Sequence, residues 1–216
     1  MINGRIKNII FDFDGTLADT SPLIIATMLA TIKILGLPDR NEAQCRNTIG
    51  LKLEDVPAAL WPDADVSGSE FASVYRRIFN MLKHRHSVKC YEGVLETLHT
   101  LNSRGYNLAI ASSRSHGSLD EYCTDFGLEA IFSSIVGGDD VKSGKPAPEP
   151  VLKICADNGW LPYETLVVGD AVVDMEMGRS AGAFTCAVTY GNQSYEQLQA
   201  ASPDLTIDVF SDLTSL

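Results

Sequence analysis

Two aspartates that follow the first apolar stretch of the sequence are the residues best suited to chemistry. The β-branched and aromatic run at residues 9–11 leads directly into Asp12 and Asp14, and a Gly-Thr turn follows them. Such a run predicts a buried β-strand, so both carboxylates would lie at the edge of the hydrophobic core. Burying a carboxylate without a partner costs several kcal/mol. We therefore expect a cation at this position, and a metal ion is the obvious candidate.

The spacing of these acids has competing interpretations. An Asp-x-Asp-Gly sequence also begins ordinary tight turns, because Asp and Gly suit them. A calcium-binding EF-hand loop starting at Asp12 would need Gly at its sixth position and Glu at its twelfth, where the sequence has Leu17 and Leu23. A P-loop ending at Lys145 is also excluded, because Pro146 stands where Ser or Thr would bind Mg²⁺. The choice between a turn and a catalytic site therefore depends on the rest of the chain.

The composition is that of a globular protein with an acidic charge balance. The chain has 216 residues, of which 45% are hydrophobic and 21% charged, and its formal net charge is -11. This acidic balance argues against nucleic acid or an anionic membrane as a partner, because it leaves no broad basic surface. The five cysteines are dispersed without CxxC spacing, and the N-terminal segment lacks a signal-peptide pattern. We expect reduced thiols in a cytoplasmic protein that is a monomer or a homodimer.

The periodicity predicts a doubly wound α/β fold, in which helices cover both faces of a parallel sheet. We predict helices at residues 92–104, 118–126, 148–158 and 172–181, and strands at 107–111, 135–136, 166–168 and 184–188. Residues 20–87 show only helical periodicity and would form a small inserted α-helical domain, while 1–19 and 88–216 form the α/β domain. The first inserted helix would begin with the hydroxyl of Thr20 as its cap and end at Gly36.

Polar residues follow several of the predicted strands or lie in the loops beside them. In open α/β sheets, ligands bind beyond the carboxyl ends of the strands. We therefore expect four separate segments of the chain to meet at one edge of the sheet. The residues concerned are Asp12, Asp14, Ser112, Ser113, Lys145, Asp170 and Asp174.

In this order and context, these segments resemble the four motifs of the haloacid dehalogenase (HAD) superfamily of phosphohydrolases. The matching pieces are Asp-Phe-Asp-Gly-Thr at residues 12–16, Ser112, Lys145 followed by Pro146, and Gly-Asp at residues 169–170. The inserted helices stand where the family has its small cap domain. The resemblance implies a Rossmann-like core and a Mg²⁺-dependent phosphatase that acts on a small organic phosphate ester, most similar to phosphoglycolate phosphatases.

The resemblance assigns roles to five charged residues. Asp12 would be the nucleophile that forms an aspartyl-phosphate, and Asp14 would act as general acid and then as general base. Lys145 would supply a compact positive charge at the phosphate. The Mg²⁺ ion would be held by Asp12, by the backbone carbonyl of Asp14, by Asp170 and, directly or through water, by Asp174.

The resemblance also implies residues that bind the substrate. They are Thr16, Gly50, Lys52, Ser112, Ser113 and Arg114. Ser112 would hold a phosphoryl oxygen. Lys52 and Arg114 would face an anionic leaving group such as a carboxylate, and Arg76 and Arg77 are further candidates. Each of these cations has an ordinary alternative as a solvated surface residue.

Other functions remain open on the same core. A β-phosphoglucomutase-like isomerase would use the same two aspartates but protect the phosphoenzyme from water. Pyrophosphate hydrolysis and nucleotide dephosphorylation are substrate variants, and a non-catalytic phosphate-binding regulatory protein would share the fold. The position of Lys52 disfavours a phosphonatase. Ala171 stands where the family usually has Ser or Thr, which removes a hydroxyl that would support the metal.

Overall fold

Six parallel β-strands form one sheet in the computed structural model, which describes residues 4–216. The strands are β1 (Asn8–Phe11), β2 (Asn107–Ala111), β3 (Ser134–Val136), β4 (Thr165–Gly169), β5 (Phe184–Val188) and β6 (Leu205–Ile207). Their order in the sheet is β3-β2-β1-β4-β5-β6. The direction of strand order reverses between β1 and β4, and α/β sheets open a crevice at the carboxyl ends of such a pair.

Helices occupy both the connections between strands and the long insertion after β1. They are α1 (Ser21–Ile34), α2 (Glu42–Arg46), α3 (Val56–Leu60), α4 (Gly68–Leu82), α5 (Val94–Ser103), α6 (His116–Asp125), α7 (Glu149–Asn158), α8 (Val172–Ser180) and α9 (Tyr195–Ala200). Short 3-10 helices lie at Lys83–Arg85, Pro162–Glu164 and Phe210–Ser215. Among residues 4–216, no helix combines the length and the apolar character that crossing a membrane requires.

The central strand β1 is buried on both faces, as a parallel sheet covered by helices requires. Its side chains alternate between two hydrophobic clusters. Ile9 and Phe11 pack in a cluster with residues of α5 and α6, whereas Ile10 packs in a cluster with residues of α7 and α8. The predicted doubly wound α/β fold is therefore confirmed.

Helices α1 to α4 pack around a hydrophobic cluster of their own. The cluster includes Leu23 and Met28 of α1, and the rings of Phe71, Tyr75 and Phe79, which are spaced along one face of α4. A separate cluster of this kind is what an inserted domain requires. The predicted division into residues 20–87 and an α/β domain of residues 1–19 and 88–216 stays a prediction. Residues 1–3 of that α/β domain lie outside the described part of the chain.

The chain leaves and rejoins the sheet domain through two paired segments. Ala18 and Cys90 form an isolated antiparallel bridge. The Asp19 N–H donates to the Lys89 carbonyl at 2.9 Å, and the Tyr91 N–H donates to the Leu17 carbonyl at 3.0 Å. The two ends of the insertion are therefore held side by side.

Local details differ from the sequence-based expectations at a few points. The predicted capping role of Thr20 is wrong: its side chain makes no cap hydrogen bond and instead donates to Asp14 Oδ1 at 2.6 Å. The last α-helix and the last strand, α9 and β6, have no counterpart in the sequence-based prediction. Strand β6 has only three residues, none of them fully buried, so its sequence lacks the apolar run that identifies the inner strands.

Candidate active site

The backbone of the sheet brings three of the predicted residues to one edge. Asp12, Ser112 and Asp170 directly follow β1, β2 and β4. The Asp12 N–H donates to the Val168 carbonyl at 2.9 Å, and the Ser112 N–H donates to the Val136 carbonyl at 3.0 Å. Strand pairing thus continues by one residue beyond β1 and β2, which fixes the backbone positions of Asp12 and Ser112.

Lys145 connects two of the acids. Its Nζ contacts Asp12 Oδ1 and lies 2.6 Å from Asp174 Oδ1. The exposed fraction of these side chains is 1% for Lys145, 4% for Asp12 and 1% for Asp174. Asp174 lies in the first turn of α8, where its Oδ2 accepts the Ala171 N–H at 3.1 Å. Lys145 is thus enclosed between the end of β1 and the start of α8.

A dense set of donors surrounds Asp170. The Thr16 hydroxyl donates to Oδ1 at 3.2 Å, while the backbone N–H and the side-chain amide of Asn192 donate to Oδ2 at 2.6 and 2.9 Å. Two glycines permit this packing. A Cβ at Gly15 or at Gly191 would lie 2.2 Å from an atom of the Asp170 side chain, so any larger residue would displace the carboxylate.

The three buried carboxylates carry more negative charge than Lys145 neutralises. Burial, reinforced by Asp174, raises the pKa of Asp170 to about 7. Burial also raises the pKa of Asp12 well above its ordinary value, although Lys145 acts in the opposite direction. Burial alone would lower the pKa of Lys145, but Asp12 and Asp174 outweigh that effect and raise it. The cluster therefore favours the uptake of further positive charge.

The donor atoms of this cluster suit a divalent cation. Asp12, Asp170 and Asp174 each offer a carboxylate oxygen, and these oxygens lie within 4.8 Å of one another. Mg²⁺ prefers such oxygen ligands. With every carboxylate ionised and Lys145 protonated, the formal charge is −2, which one divalent ion would balance. The residues present therefore fit Mg²⁺.

Asp14 has different partners from Asp12, although only one residue separates them. Arg114 donates to both of its oxygens, from Nη2 to Oδ1 at 2.5 Å and from Nε to Oδ2 at 3.2 Å. The Thr20 hydroxyl also donates to Oδ1. Such a two-point contact between guanidinium and carboxylate fixes the orientation of both groups. Asp14 is thus held between Arg114 and Thr20, the residue directly before α1.

Aromatic rings from both parts of the molecule enclose the Arg114 guanidinium. Its carbon lies 5.9 Å from the ring centre of Phe13 and 5.0 Å from that of Tyr122, which belong to the α/β domain. It also lies 5.2 Å from the ring centre of Phe79 on α4 of the insertion. These cation–π contacts stabilise the guanidinium in a largely water-free position. The environment of Asp14 therefore includes a residue of the insertion.

Two further contacts join the insertion to the loops of the site. The Ser113 hydroxyl donates to the Gly50 carbonyl at 2.6 Å. Gly50 has a φ of 101°, a conformation that other residues rarely adopt. Lys52 reaches across to the α/β domain, where its Nζ donates to the Lys142 carbonyl at 3.5 Å. The structure thus brings Gly50 and Lys52 to the same loops as Ser112 and Ser113.

A cavity of about 1190 Å³ lies between the insertion and the carboxyl edge of the sheet. Its lining includes most of the residues predicted from the sequence, namely Asp12, Asp14, Gly50, Lys52, Ser112, Ser113, Arg114 and Lys145. Arg76 also lines it but pairs with Glu54 at 2.7 Å. Thr16, Asp170 and Asp174 lie behind this lining, and Arg77 is exposed elsewhere on α4. The cavity is open to solvent, and Asp12 is part of its lining.

Sequence reasoning missed Asn192 and the pairing of Arg114 with Asp14. Asn192 lies in the loop after β5, and 7% of it is exposed. It has no place in the motif pattern, and its side-chain partners lie 146 or more residues earlier, except Asp170, which is 22 residues away. The only signal in the sequence was the Gly-Asn pair that follows a predicted strand, the position where polar site residues are expected.

Comparisons with known proteins agree with this geometry. A family model for haloacid dehalogenase-like hydrolases matches residues 9–188. Pyrophosphatase PpaX of Bacillus velezensis is 35% identical over 221 residues, which cover 99% of this chain and 97% of that protein. A crystal structure described as a predicted phosphoglycolate phosphatase from Haemophilus somnus 129pt has 27% identity and a TM-score of 0.85, covering 98% of this chain and 97% of that one.

A further solved structure resembles the chain in fold alone. It is a predicted phosphatase from Clostridium acetobutylicum, with a TM-score of 0.88 at 21% identity, and the match covers 97% of both chains. The family match extends from β1 to β5 and so includes the four segments that were predicted to meet at the carboxyl edge of the sheet. The chain belongs to the haloacid dehalogenase-like hydrolases and is a phosphohydrolase.

Proposed function

We propose that the protein is a Mg²⁺-dependent phosphatase that hydrolyses a small anionic phosphate compound through an aspartyl-phosphate on Asp12. The observation that carries this proposal is the contact of Lys145 with both Asp12 and Asp174, beside a third buried carboxylate and at the base of a cavity. Buried like charges are costly, so such a cluster is retained where it binds a cation and an anionic substrate together.

Asp12 is the residue best placed to be the nucleophile. It lies at the end of the central strand, lines the cavity and is oriented by Lys145 through one oxygen. Its other oxygen would attack the phosphorus atom while the bond from phosphorus to the leaving oxygen breaks. The products of this step are the aspartyl-phosphate and the leaving group.

Asp14 would manage the protons of both steps. In the first step its carboxyl group gives a proton to the leaving oxygen. In the second step its carboxylate takes a proton from the water that attacks phosphorus, which releases phosphate and restores the Asp12 carboxylate. Asp14 lines the cavity, and Arg114 fixes the orientation of its carboxylate through both oxygens.

Mg²⁺ would be held by Asp12, Asp170 and Asp174, with the backbone carbonyl of Asp14 as a further ligand. When bound, it would neutralise charge on the transferring phosphoryl group. Lys145, which contacts Asp12, would share this work. Ser112 lines the cavity next to Asp12, where its hydroxyl and nearby backbone N–H groups would hold a phosphoryl oxygen.

Several basic side chains among those that line the cavity would suit an anionic leaving group. Lys52, Lys83 and Lys142 line it, as does Arg114. Of these, Lys83 pairs with Glu121 and Arg114 with Asp14, so Lys52 and Lys142 are better placed to meet substrate charge. A carboxylate or a second phosphate would suit them. The names of the similar proteins support inorganic pyrophosphate and phosphoglycolate as the first compounds to test.

The test is phosphate release from a panel of compounds, with Mg²⁺ and with a chelator. The panel contains pyrophosphate, phosphoglycolate, hexose phosphates and nucleotides, and Asp12→Asn serves as the inactive control. We expect Mg²⁺-dependent release from pyrophosphate or phosphoglycolate, and little from the bulky nucleotides. Folded wild-type protein that releases phosphate from none of them would refute the proposal. Isomer formation from a hexose phosphate would favour the mutase.

A second variant separates the leaving-group assignment from the chemistry. Lys52→Ala should raise KM for the anionic substrate by about 10-fold, because one close charge contact contributes about 1.4 kcal/mol at partly shielded sites. Its activity toward the neutral leaving group of a simple alkyl phosphate should be unchanged. The matched control is Lys153→Ala, an exposed lysine that pairs with Asp157 on α7. An unchanged KM in Lys52→Ala would return this residue to the role of a surface lysine.

A further inference from the structure

Asn192 occupies a junction between the acidic cluster and the inserted helices. Its amide Nδ2 donates to Asp170 Oδ2 at 2.9 Å and to the Asp14 carbonyl at 3.5 Å. Its amide Oδ1 accepts from the Ser21 hydroxyl at 2.7 Å and from Arg46 Nη1 at 3.4 Å. One buried side chain therefore contacts both parts of the molecule.

Its hydrogen-bond partners fix the orientation of this amide. The Asp170 carboxylate and the Asp14 carbonyl can only accept, so the NH₂ group must face them. The Arg46 guanidinium can only donate, so the amide oxygen must face Arg46 and the Ser21 hydroxyl. A rotation of the amide by half a turn would point its oxygen at the Asp170 carboxylate and its NH₂ group at the Arg46 guanidinium, so both of these hydrogen bonds would be lost. Such an interaction is costly to break and therefore holds its partners in place.

We propose that Asn192 is a positioning residue for Asp170, which it holds in the orientation that binds the divalent cation, and that it links this ligand to the inserted helices. The inference rests on the proposed metal dependence of the site. It concerns a residue outside the four motif segments, in the loop between β5 and α9.

The contacts on Asp170 explain why a positioning residue is needed. Thr16 holds Oδ1 with one hydrogen bond, and Asn192 holds Oδ2 with two, one from the backbone and one from the side chain. Together they set the rotation of the carboxylate plane. Ala171, which directly follows Asp170, has no hydroxyl to contribute. The side chain of Asn192 thus supplies an outer contact of the kind that metal ligands normally have.

The contacts with the insertion give Asn192 its second task. Ser21 is the first residue of α1, and Arg46 is the last residue of α2. Both donate to the same amide oxygen. As long as α1 and α2 remain packed against the α/β domain, Ser21 and Arg46 hold the amide oxygen and the NH₂ group stays bonded to Asp170. The orientation of Asp170 therefore depends on how the insertion packs against the α/β domain.

The test is the dissociation constant of Mg²⁺, measured by calorimetry on the full-length protein without substrate. Asn192→Ala should weaken binding by about 10- to 100-fold, the usual effect of removing an outer contact of a metal ligand. Mn²⁺ binding followed by paramagnetic resonance should weaken in parallel. The matched control is Asn8→Ala, which removes another buried asparagine that bonds to Thr165 at the opposite end of the sheet. That control should lose stability but keep its Mg²⁺ affinity.

A second pair of variants tests the link to the insertion. Ser21→Ala leaves Arg46 as the remaining side-chain donor to the amide oxygen, so it should weaken Mg²⁺ binding by only about threefold, within the range of one neutral hydrogen bond. Ser69→Ala, an exposed position on α4, should have no effect. Equal Mg²⁺ affinity in Ser21→Ala and wild type would overturn the link to the insertion.

These measurements separate the inference from the proposed function. Equal Mg²⁺ affinity in Asn192→Ala and wild type, with active wild-type enzyme, would overturn the positioning role and leave the phosphatase intact. Wild-type protein that binds Mg²⁺ but hydrolyses no phosphate compound would refute the proposed function, while a weakened Asn192→Ala would still support the inference. Wild-type protein that binds neither Mg²⁺ nor Mn²⁺ would overturn both.

Discussion

Asp12 and Asp14 lie on one short loop, yet their surroundings have little in common. Asp12 is buried among Lys145, Asp170 and Asp174, all of which belong to the sheet domain. Asp14 is more exposed, at 13% of its side chain against 4% for Asp12, and its main partner is Arg114. The two acids therefore differ in charge environment and also in which part of the molecule supports them.

In the proposed mechanism, the difference separates two tasks that the active site must perform. A nucleophile and metal ligand needs a fixed position, which the sheet and Lys145 provide for Asp12. A proton-transfer group must respond to the arrival of the leaving group, and Asp14 is supported by Arg114, which packs against Phe79 of the insertion. If these roles hold, chemistry at phosphorus depends on the α/β domain, whereas proton transfer also depends on the insertion.

The largest expected effect is that of Asp12→Asn. Removing the nucleophile should lower kcat by at least about 10⁴-fold, because the covalent step is lost. The amide has nearly the same shape as the carboxylate, so the far-UV circular dichroism and the thermal unfolding should show a folded protein. Phosphate release measures the rate. Near-native activity would remove Asp12 from the role of nucleophile.

Asp14→Asn should lower kcat by about 10²- to 10⁴-fold for an alkyl phosphate, the usual contribution of general acid–base catalysis. With p-nitrophenyl phosphate, whose leaving group needs no proton, the first step should recover. The variant should then release one equivalent of nitrophenolate rapidly and continue slowly. Stopped-flow absorbance would show this burst, and equal defects with both leaving groups would assign Asp14 to another role.

Lys145→Ala should lower the rate by about 10²- to 10³-fold, as for the loss of one electrostatic contact to the reacting group. It also leaves Asp12 and Asp174 without their shared cation, and removing one partner of a buried ion pair costs about 3–5 kcal/mol. Urea unfolding with and without Mg²⁺ measures this loss. Added Mg²⁺ should restore part of the stability, because it replaces the missing positive charge.

Phe79→Leu should have a small effect on proton transfer by Asp14 and none on the attack by Asp12. The substitution removes the ring from the Arg114 guanidinium, a contact of about 0.5–1 kcal/mol, so hydrolysis of an alkyl phosphate should slow by about two- to fivefold. Hydrolysis of p-nitrophenyl phosphate should show no loss in its burst phase. The control Phe71→Leu lies in the same helix away from Arg114 and should change stability alone. A slower burst in Phe79→Leu would contradict the separation of the two tasks.

The smallest expected effect is on stability and concerns a surface pair that lies outside the surroundings of both Asp12 and Asp14. His116 Nδ1 lies 2.6 Å from Asp140 Oδ2, and this hydrogen bond raises the pKa of His116. A raised histidine pKa stabilises the folded state below about pH 6.5 and loses that effect as pH rises through the folded value. Because both groups are partly exposed, His116→Gln should cost about 0.5 kcal/mol near pH 5.5. Thermal unfolding should show no difference from wild type at pH 8.5.

Much of the fold was predictable because it depends on local patterns. The strand β2 at residues 107–111 and the strand β5 at 184–188 have the predicted bounds, since apolar runs between glycines and polar residues mark inner strands clearly. The edge strand β6 carries no such pattern. Helix α5 begins at Val94, after the predicted start, because Gly93 precedes it with a φ of 76°.

The candidate site was predictable where a residue type at a given position in the fold has one common role. Acids directly after buried strands are of that kind, and the structure brings Asp12 and Asp170 together with Lys145. The partners of Asp14 were not predictable in this way. Arg114 is 100 residues away in sequence, and Thr20 looked like a helix cap because the same hydroxyl can serve either purpose. Contacts between distant side chains require the packed structure.

The paired segments at Ala18 and Cys90 have a consequence for engineering. Because the chain departs and returns at neighbouring points, residues 20–87 can be exchanged for another helical segment with two cuts and without breaking the sheet. Such a chimaera would inherit Asp12, Lys145 and the acidic cluster unchanged. It would have to replace the hydroxyl groups of Thr20 and Ser21, the Gly50 carbonyl and the Phe79 ring, which contact the site in the present structure. A graft of another helical segment therefore succeeds or fails at these few contacts rather than across the whole interface.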